Sequence, residues 1–457
     1  MFVGGASTVT GSCFYMEVND LKLLVDCGMR QGNDASGQGM KPFPFNPVEI
    51  DHVLLTHAHL DHSGLLPRLV KEGFRGAIIT TSATKDLLVP MLYDSASIQE
   101  SDAEWLTKKA LRTGLPPVEP LYTSDDVTGV IPLFDAIEFA TVSRLGRGVR
   151  YRFMDAGHIL GSASIEIWFQ DSPVEKKIVF SGDIGNKENP IIKDPSAPES
   201  ADFVVMETTY GDRNHKPIKE SIDELVLAIK TTFKRGGNVF IPSFAVGRAQ
   251  DLLYIINNLV REGRLYRIDV YLDSPLAEEV TKIYLAHPEC FDEEARRLFT
   301  VTNSGQTARL HFTRTVEESM SLNRVRSGCI IIAGSGMCDG GRIRHHLKHN
   351  LWRGDCSVIF TGFQARGTLG RRIVDGEKSV NILGEEVAVR AAVYTINGFS
   401  AHADKDGLFD WLSSFSDSPQ VFMVHGEEAA SDSFSSLVKD RLGLLCYRPV
   451  DGETFEV

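Results

Sequence analysis

No run of apolar residues in this sequence approaches the roughly 20 that a membrane-spanning helix needs. Residues 329–333 form one of the longest such runs, and it is far too short. Residues 1–11 contain neither the basic stretch nor the apolar core of a secretory leader, so a cytoplasmic protein with no membrane partner is expected. Cysteine is scarce as well. There are 7, an odd number, and none stands in a CxxC pair, which argues against both a disulfide framework and a thiolate zinc site. They read as reduced core residues. Basic residues are outnumbered, 48 Lys and Arg against 61 Asp and Glu, for a net charge of −13. That balance argues against a protein that coats nucleic acid without specificity, because such binding relies on cations neutralising phosphates. It leaves room for a local basic cleft, and carboxylates that hold divalent cations are not free surface charge. Low-complexity segments, heptad arrays and short-period repeats are also missing.

The composition that remains is that of a large globular chain. Hydrophobic residues make up 42% and charged residues 24%, which is enough for a sizeable core. A length of 457 residues exceeds what one core sustains, so two domains are expected. The first part reads as short strands whose apolar runs end in polar residues: 21–26 closes on Asp-Cys-Gly, 52–56 runs into a histidine cluster, and 178–180 leads to Ser181-Gly182-Asp183. From about Asp212 the pattern changes to strand, loop and helix in repetition. Runs at 238–244, 268–272, 329–333 and 357–360 each precede a helical segment, which predicts a parallel sheet with helices on its faces. The last stretch resumes the pattern of the first part, with His402 and His425 near strand ends. The simplest account is one domain interrupted by another.

The strongest local signal is Thr56-His57-Ala58-His59-Leu60-Asp61-His62, directly after an apolar strand. Buried polar groups need partners, so three imidazoles and a carboxylate this close together are hard to explain by packing. On a turn, His57 and His59 point one way while Asp61 and His62 reach another, which suits two metal ions about 3.5–4 Å apart. More ligands are required, and Asp26, His158, Asp183 and His425 stand at strand ends. Singly each reads as a turn or capping residue; as an ordered set they read as ligands.

HxHxDH, preceded by Asp26 and followed by His158 and Asp183, resembles the ligand set of the metallo-β-lactamase superfamily. Glu207 in Met-Glu-Thr-Thr-Tyr-Gly, His402 in Phe-Ser-Ala-His and His425 in Val-His-Gly-Glu resemble three further motifs of its β-CASP branch, which holds RNA nucleases. The resemblance implies an α/β fold: a metallo-β-lactamase αββα sandwich, residues 1–208 and 395–457, interrupted by a Rossmann-like β-CASP domain with a parallel sheet, residues 209–394. It implies a zinc-dependent ribonuclease acting on single-stranded RNA, with the active site between the two domains. RNA is favoured over DNA because RNA-acting members resemble this chain in having histidine at the last motif. A small-molecule zinc hydrolase and an inactive RNA-binding scaffold are the rival readings, and a homodimer is a candidate assembly that the sequence does not specify.

Ligand chemistry then assigns roles. Zinc suits imidazole and carboxylate, so His57, His59 and His158 are expected on one ion and Asp61, His62 and His425 on a second, with Asp183 between them. Asp26 is expected behind the ligands, orienting imidazoles. A zinc pair makes water nucleophilic near neutral pH. His402, kept protonated by Glu207, is expected to protonate the leaving 3′-oxygen, giving 5′-phosphate and 3′-hydroxyl ends. The catalytic set is thus His402, Glu207, Asp61 and Asp183. Two glycine-rich strand-to-helix loops, carrying Ser243 and Arg248, and Ser335, Gly336 and Arg342, suit phosphate. Arg366, assigned with Arg371 and Arg372 to a following helix, extends the candidate basic track. His345 and His346 face apart on a helix and are not expected to be ligands.

Overall fold

The computed structural model describes residues 1–30, 41–171, 173–266, 268–300 and 307–457. The chain separates into two compact units. One comprises Met1–Asn189, Lys193–Asn214 and His402–Val457, the other Pro190–Ile192 and His215–Ala401. Among the described residues no helix is long and apolar enough to cross a membrane.

The first unit is built on two sheets. A six-stranded sheet runs in the order Phe2–Gly4, Cys13–Val18, Leu21–Val25, His52–Leu54, Ala77–Thr81, Phe134–Ile137. A seven-stranded sheet runs Cys446–Tyr447, Gln420–Val424, Phe203–Glu207, Val174–Phe180, Ala163–Asp171, Val149–Asp155, Ser143–Gly146. Successive side chains of a strand point to opposite faces, and the strand Phe203–Glu207 shows what each face meets. Phe203 and Val205 join a core shared by both sheets, with Leu23, Val25, Leu54, Ile165 and Phe180. Val204 and Met206 instead pack with Leu408, Trp411 and Phe434 from the helices Lys405–Ser413 and Glu428–Leu442. The helix Ser82–Leu111 lies against the strands Ala77–Thr81 and Phe134–Ile137 of the other sheet. Burying aliphatic side chains stabilises by about 1.5–3 kcal/mol each, which leaves the strand ends free to carry polar residues. The late strand Gln420–Val424 pairs in parallel with Phe203–Glu207, so the chain leaves this sheet and comes back to it.

The second unit holds a six-stranded sheet in the order Arg309–Phe312, Asp269–Asp273, Cys329–Ala333, Val239–Pro242, Ser357–Phe360, Ala392–Thr395, with every pairing parallel. Its central strands are apolar without alternation because helices cover both faces. Val239 and Ile241 pack with the helices Ile218–Lys234 and Arg248–Arg261, while Phe240 packs with Ile343 and Leu347 of the helix Ile343–Asn350. After Val239–Pro242 the chain moves to Asp269–Asp273 on one side; after Cys329–Ala333 it crosses to Ser357–Phe360 on the other. The loops leaving these neighbouring strands diverge, which is where open parallel sheets form a ligand crevice.

Candidate metal centre

Six of the candidate site residues of the first unit lie at or just beyond strand ends. Asp26 follows Leu21–Val25, His57 follows His52–Leu54, His158 follows Val149–Asp155, Asp183 follows Val174–Phe180, Glu207 closes Phe203–Glu207, and His425 follows Gln420–Val424. Asp26 at φ 61 and His425 at φ 46 occupy the left-handed region, uncommon for residues with a side chain. Gly182, just before Asp183, has φ +56, and a Cβ there would lie 2.9 Å from the Ala163 carbonyl oxygen. Only glycine fits that turn. The histidine motif is not the simple turn expected. His59 precedes a short helix, Leu60–Ser63, that carries Asp61 and His62 and sets the His62 ring centroid 4.1 Å from that of His57.

His57 Nε2 and His158 Nε2 each lie 3.2 Å from His59 Nδ1 and 3.4 Å from Asp183 Oδ2. Around a tetrahedral zinc with bonds of about 2.0–2.1 Å, neighbouring donors stand about 3.3–3.4 Å apart. The four donors thus have the spacing of a zinc shell. Burial pushes His57 down to about 4 and His59 to about 3, and holds His158 well below its ordinary value. All three imidazoles are therefore neutral at neutral pH, the state in which a nitrogen lone pair is available.

Asp61, His62 and His425 form a second group, with donor atoms within 4.8 Å of one another. Asp183 reaches this group with its other oxygen: Oδ1 lies 3.2 Å from His62 Nε2 and 3.6 Å from His425 Nε2. His62 Nε2 and Asp183 Oδ1 are buried and have no hydrogen-bond partner among the described residues, as expected of atoms meant for a cation. Burial alone would lower His62, but Asp183 and Asp26 outweigh it and hold it well above the usual histidine range. Burial alone would likewise raise Asp183, but His425, His62 and His57 draw it well below the usual carboxylate range.

Behind these atoms lies a layer of partners. His62 Nδ1 is 2.7 Å from Asp26 Oδ2. Thr56 donates to the same oxygen at 2.9 Å, and its hydroxyl sits 3.0 Å from His57 Nδ1. Ser12 Oγ is 2.9 Å from His425 Nδ1. The sequence singles out Asp26 but neither hydroxyl, since a lone Ser or Thr in a loop carries no mark of what it faces.

His402 Nδ1 lies 3.2 Å from both oxygens of Glu207 and 3.9 Å from Asp183 Oδ2. Burial would lower this imidazole, but Glu207 and Asp183 raise it to about 9. Glu207 is fully buried and accepts the Ile184 N–H at 2.6 Å. Asp183, Glu207 and His402 also fall within metal-holding distance of one another. The Glu207 oxygens are already engaged by His402 and backbone N–H groups, so this trio is better suited to holding a proton.

In the second unit, the Ser243 N–H donates to Ala333 O at 3.0 Å, joining the two neighbouring loops. Ser335 Oγ accepts the Gly340 N–H at 3.1 Å, and Gly336 O accepts from Gln364 at 3.0 Å. Arg342 is not the free cation that the sequence suggests. Its guanidinium donates to Asp273 at 2.7 Å and to the carbonyls of Thr313 and Arg314. Arg248 lies 3.6 Å from Asp251. Arg366 is exposed and precedes the helix Leu369–Val374 instead of lying on it. His346 is buried and bonds Asp273 at 2.6 Å.

Comparison with known proteins adds the following. Residues 7–230 match a sequence model of the metallo-beta-lactamase superfamily, 249–373 one of the Beta-Casp domain, and 386–449 one of a Zn-dependent metallo-hydrolase RNA specificity domain. Ribonuclease TTHA0252 of Thermus thermophilus is 40% identical over 93% of this chain and 92% of its own. Transcription termination factor FttA of Methanosarcina mazei is 30% identical over 96% of this chain and 68% of its own. A crystal structure of a protein of unknown function from Enterococcus faecalis V583 has a TM-score of 0.55, covering 99% of this chain and 98% of that one at 14% identity, a likeness of fold alone.

Proposed function

The chain belongs to the Beta-Casp family of the metallo-beta-lactamase superfamily, and from that membership we propose that it is a zinc-dependent ribonuclease hydrolysing single-stranded RNA at a two-ion centre. Membership makes it a metal-dependent hydrolase of the nuclease kind. One observation supports the finer reading above others: Asp183 offers one carboxylate oxygen to each of two donor groups, 3.4 Å from His57 and His158 and 3.2 Å from His62. A single structural cation has no use for the second group.

In this reading His57, His59 and His158 hold one ion and Asp61, His62 and His425 the other, with Asp183 common to both. Asp26 orients His62 directly and His57 through Thr56. Bound there, a zinc pair supplies Lewis acidity toward the phosphoryl oxygens and makes water nucleophilic at neutral pH. His402 gives the leaving 3′-oxygen its proton, and the buried Glu207 carboxylate keeps that proton on the imidazole. The ends produced are 5′-phosphate and 3′-hydroxyl.

RNA is preferred because residues 386–449, which include His402 and His425, match the RNA specificity domain, and because a 40% identical relative is named a ribonuclease. Residues 1–208 and 395–457 carry the chemistry. Residues 209–394 handle the strand, with backbone N–H groups around Ser243, Ser335 and Gly336, and the side chains of Arg248 and Arg366, meeting phosphates. Arg342 instead ties its end of the loop to Asp273 and to the carbonyls of Thr313 and Arg314.

The test is a side-by-side assay of RNA and DNA oligonucleotides of one sequence with protein of measured zinc content. Two zincs per chain, faster cutting of RNA and 5′-phosphate ends are expected. Faster cutting of DNA, or full activity with well under two zincs, overturns the reading. Repeating the RNA arm with 5′-phosphate and 5′-triphosphate substrates separates attack from the 5′ end from internal cutting.

A further inference from the structure

A metal-holding imidazole generally donates its second ring N–H to a partner, though the Nδ1 of His158 finds none among the described residues. For His62 that partner is the Asp26 carboxylate, and for His57 it is Thr56, whose hydroxyl leans on the same carboxylate. His425 differs. Among the described residues its Nδ1 meets only the Ser12 hydroxyl, at 2.9 Å.

Ser12 is fully buried, and its backbone serves the same group of donors. Its N–H donates to the Asp61 carbonyl at 2.8 Å, and its carbonyl accepts the Gly28 N–H at 2.9 Å. The His425 N–H in turn donates to Gly5 O at 2.7 Å, within the same N-terminal loop. A Cβ on Gly5 would lie 2.8 Å from Ser12 Oγ, so glycine makes room for the hydroxyl. One short loop therefore grips Asp61 and His425, residues far apart in sequence.

We propose that Ser12 is a positioning residue for the second metal ion: its hydroxyl accepts a hydrogen bond from the His425 Nδ1–H and so leaves the Nε2 lone pair, 3.6 Å from Asp183 Oδ1, for the cation. A hydroxyl suits this place because it accepts a hydrogen bond without carrying charge into a buried site. Without it, the proton on Nδ1 has no partner, and the ring is free to turn or to move that proton to Nε2, where it blocks the cation. The Ser12 hydroxyl bonds His425 and none of His57, His59 and His158, so the effect falls on one ion of the pair. The inference rests on the two-ion reading of the centre.

The test titrates metal-stripped protein with zinc against a competing chelator, and with cobalt followed by visible absorption. Wild type, Ser12→Ala and Ser164→Ala are compared, the last removing an equally buried hydroxyl that has no hydrogen-bond partner among the described residues. The expected result is two ions in wild type and in Ser164→Ala. In Ser12→Ala the first ion should bind as in wild type and the second about 10–100-fold more weakly, with unchanged melting of the metal-free chain. If wild type takes fewer than two ions, the two-ion reading itself fails. If wild type takes two and Ser12→Ala binds both as tightly, the role of Ser12 is refuted. Equal weakening of both ions, with earlier melting of the metal-free chain, refutes it too by showing a merely structural contribution.

Discussion

Asp183 and His402 lie 3.9 Å apart, yet their substitutions should fail differently. Asp183→Ala removes an oxygen from each donor group, so metal content and RNA cleavage should be lost together. His402→Ala leaves both groups intact; elemental analysis should still find the metals, while turnover falls by roughly 10²–10⁴-fold, the usual contribution of a positioned proton donor. An unchanged rate in His402→Ala would refute the proton-donor role. The side chains of this centre were legible in the sequence because carboxylate and imidazole at successive strand ends have few other reasons to be there. Ser12 and Thr56 were not, since a hydroxyl gains meaning only from the atom it faces, and the residue Ser12 faces is His425, near the far end of the chain.

Among elements, the loop carrying Ser335 and Gly336 is held by a buried carboxylate. Asp273, the last residue of its strand, takes Arg342 and His346 at 2.7 and 2.6 Å, and the hydroxyls of Thr313 and Ser319 as well. Asp273→Ala leaves the arginine and the histidine without that partner, and denaturant unfolding should show a loss of about 3 kcal/mol or more, as when one member of a buried ion pair is removed. A change below about 0.5 kcal/mol, the usual size for a surface substitution, would mean that the network is incidental. The same network explains why the arginines mislead. Sequence position puts Arg342 beside a glycine-rich loop, but the acid it serves is 69 residues away. The parallel sheet, by contrast, is plain from its repeated apolar strands, because both faces are covered and nothing breaks the pattern. The Leu60–Ser63 helix escapes notice because four residues are too few to show a period.

At the scale of the whole molecule, the two donor groups should load differently with pH. In the metal-free chain His57 and His59 are already neutral, at about 4 and about 3, because burial disfavours the charged ring. A cation entering there displaces no proton from them above about pH 5. His62 is held protonated, since Asp183 and Asp26 outweigh its burial, and a cation must displace that proton. Below the raised value, each unit fall in pH should weaken the second ion about tenfold while leaving the first nearly unchanged. The zinc-induced rise in melting temperature, followed from about pH 8 to pH 5, should accordingly shrink to what one ion provides. Parallel loss of both ions would contradict the asymmetry.

The return of the chain to the sheet of Phe203–Glu207 sets the order in which a ribosome delivers the active centre. His57, His59, His158 and Asp183 emerge early, and with them one full set of donors. His402 and the strand Gln420–Val424, with His425 behind it, come only after the whole parallel-sheet unit has been made. Under the proposed function, an unfinished polypeptide would carry a complete set of donors for one ion well before the proton donor and the second set are made, and its own messenger would meet no working blade before His425 has been added.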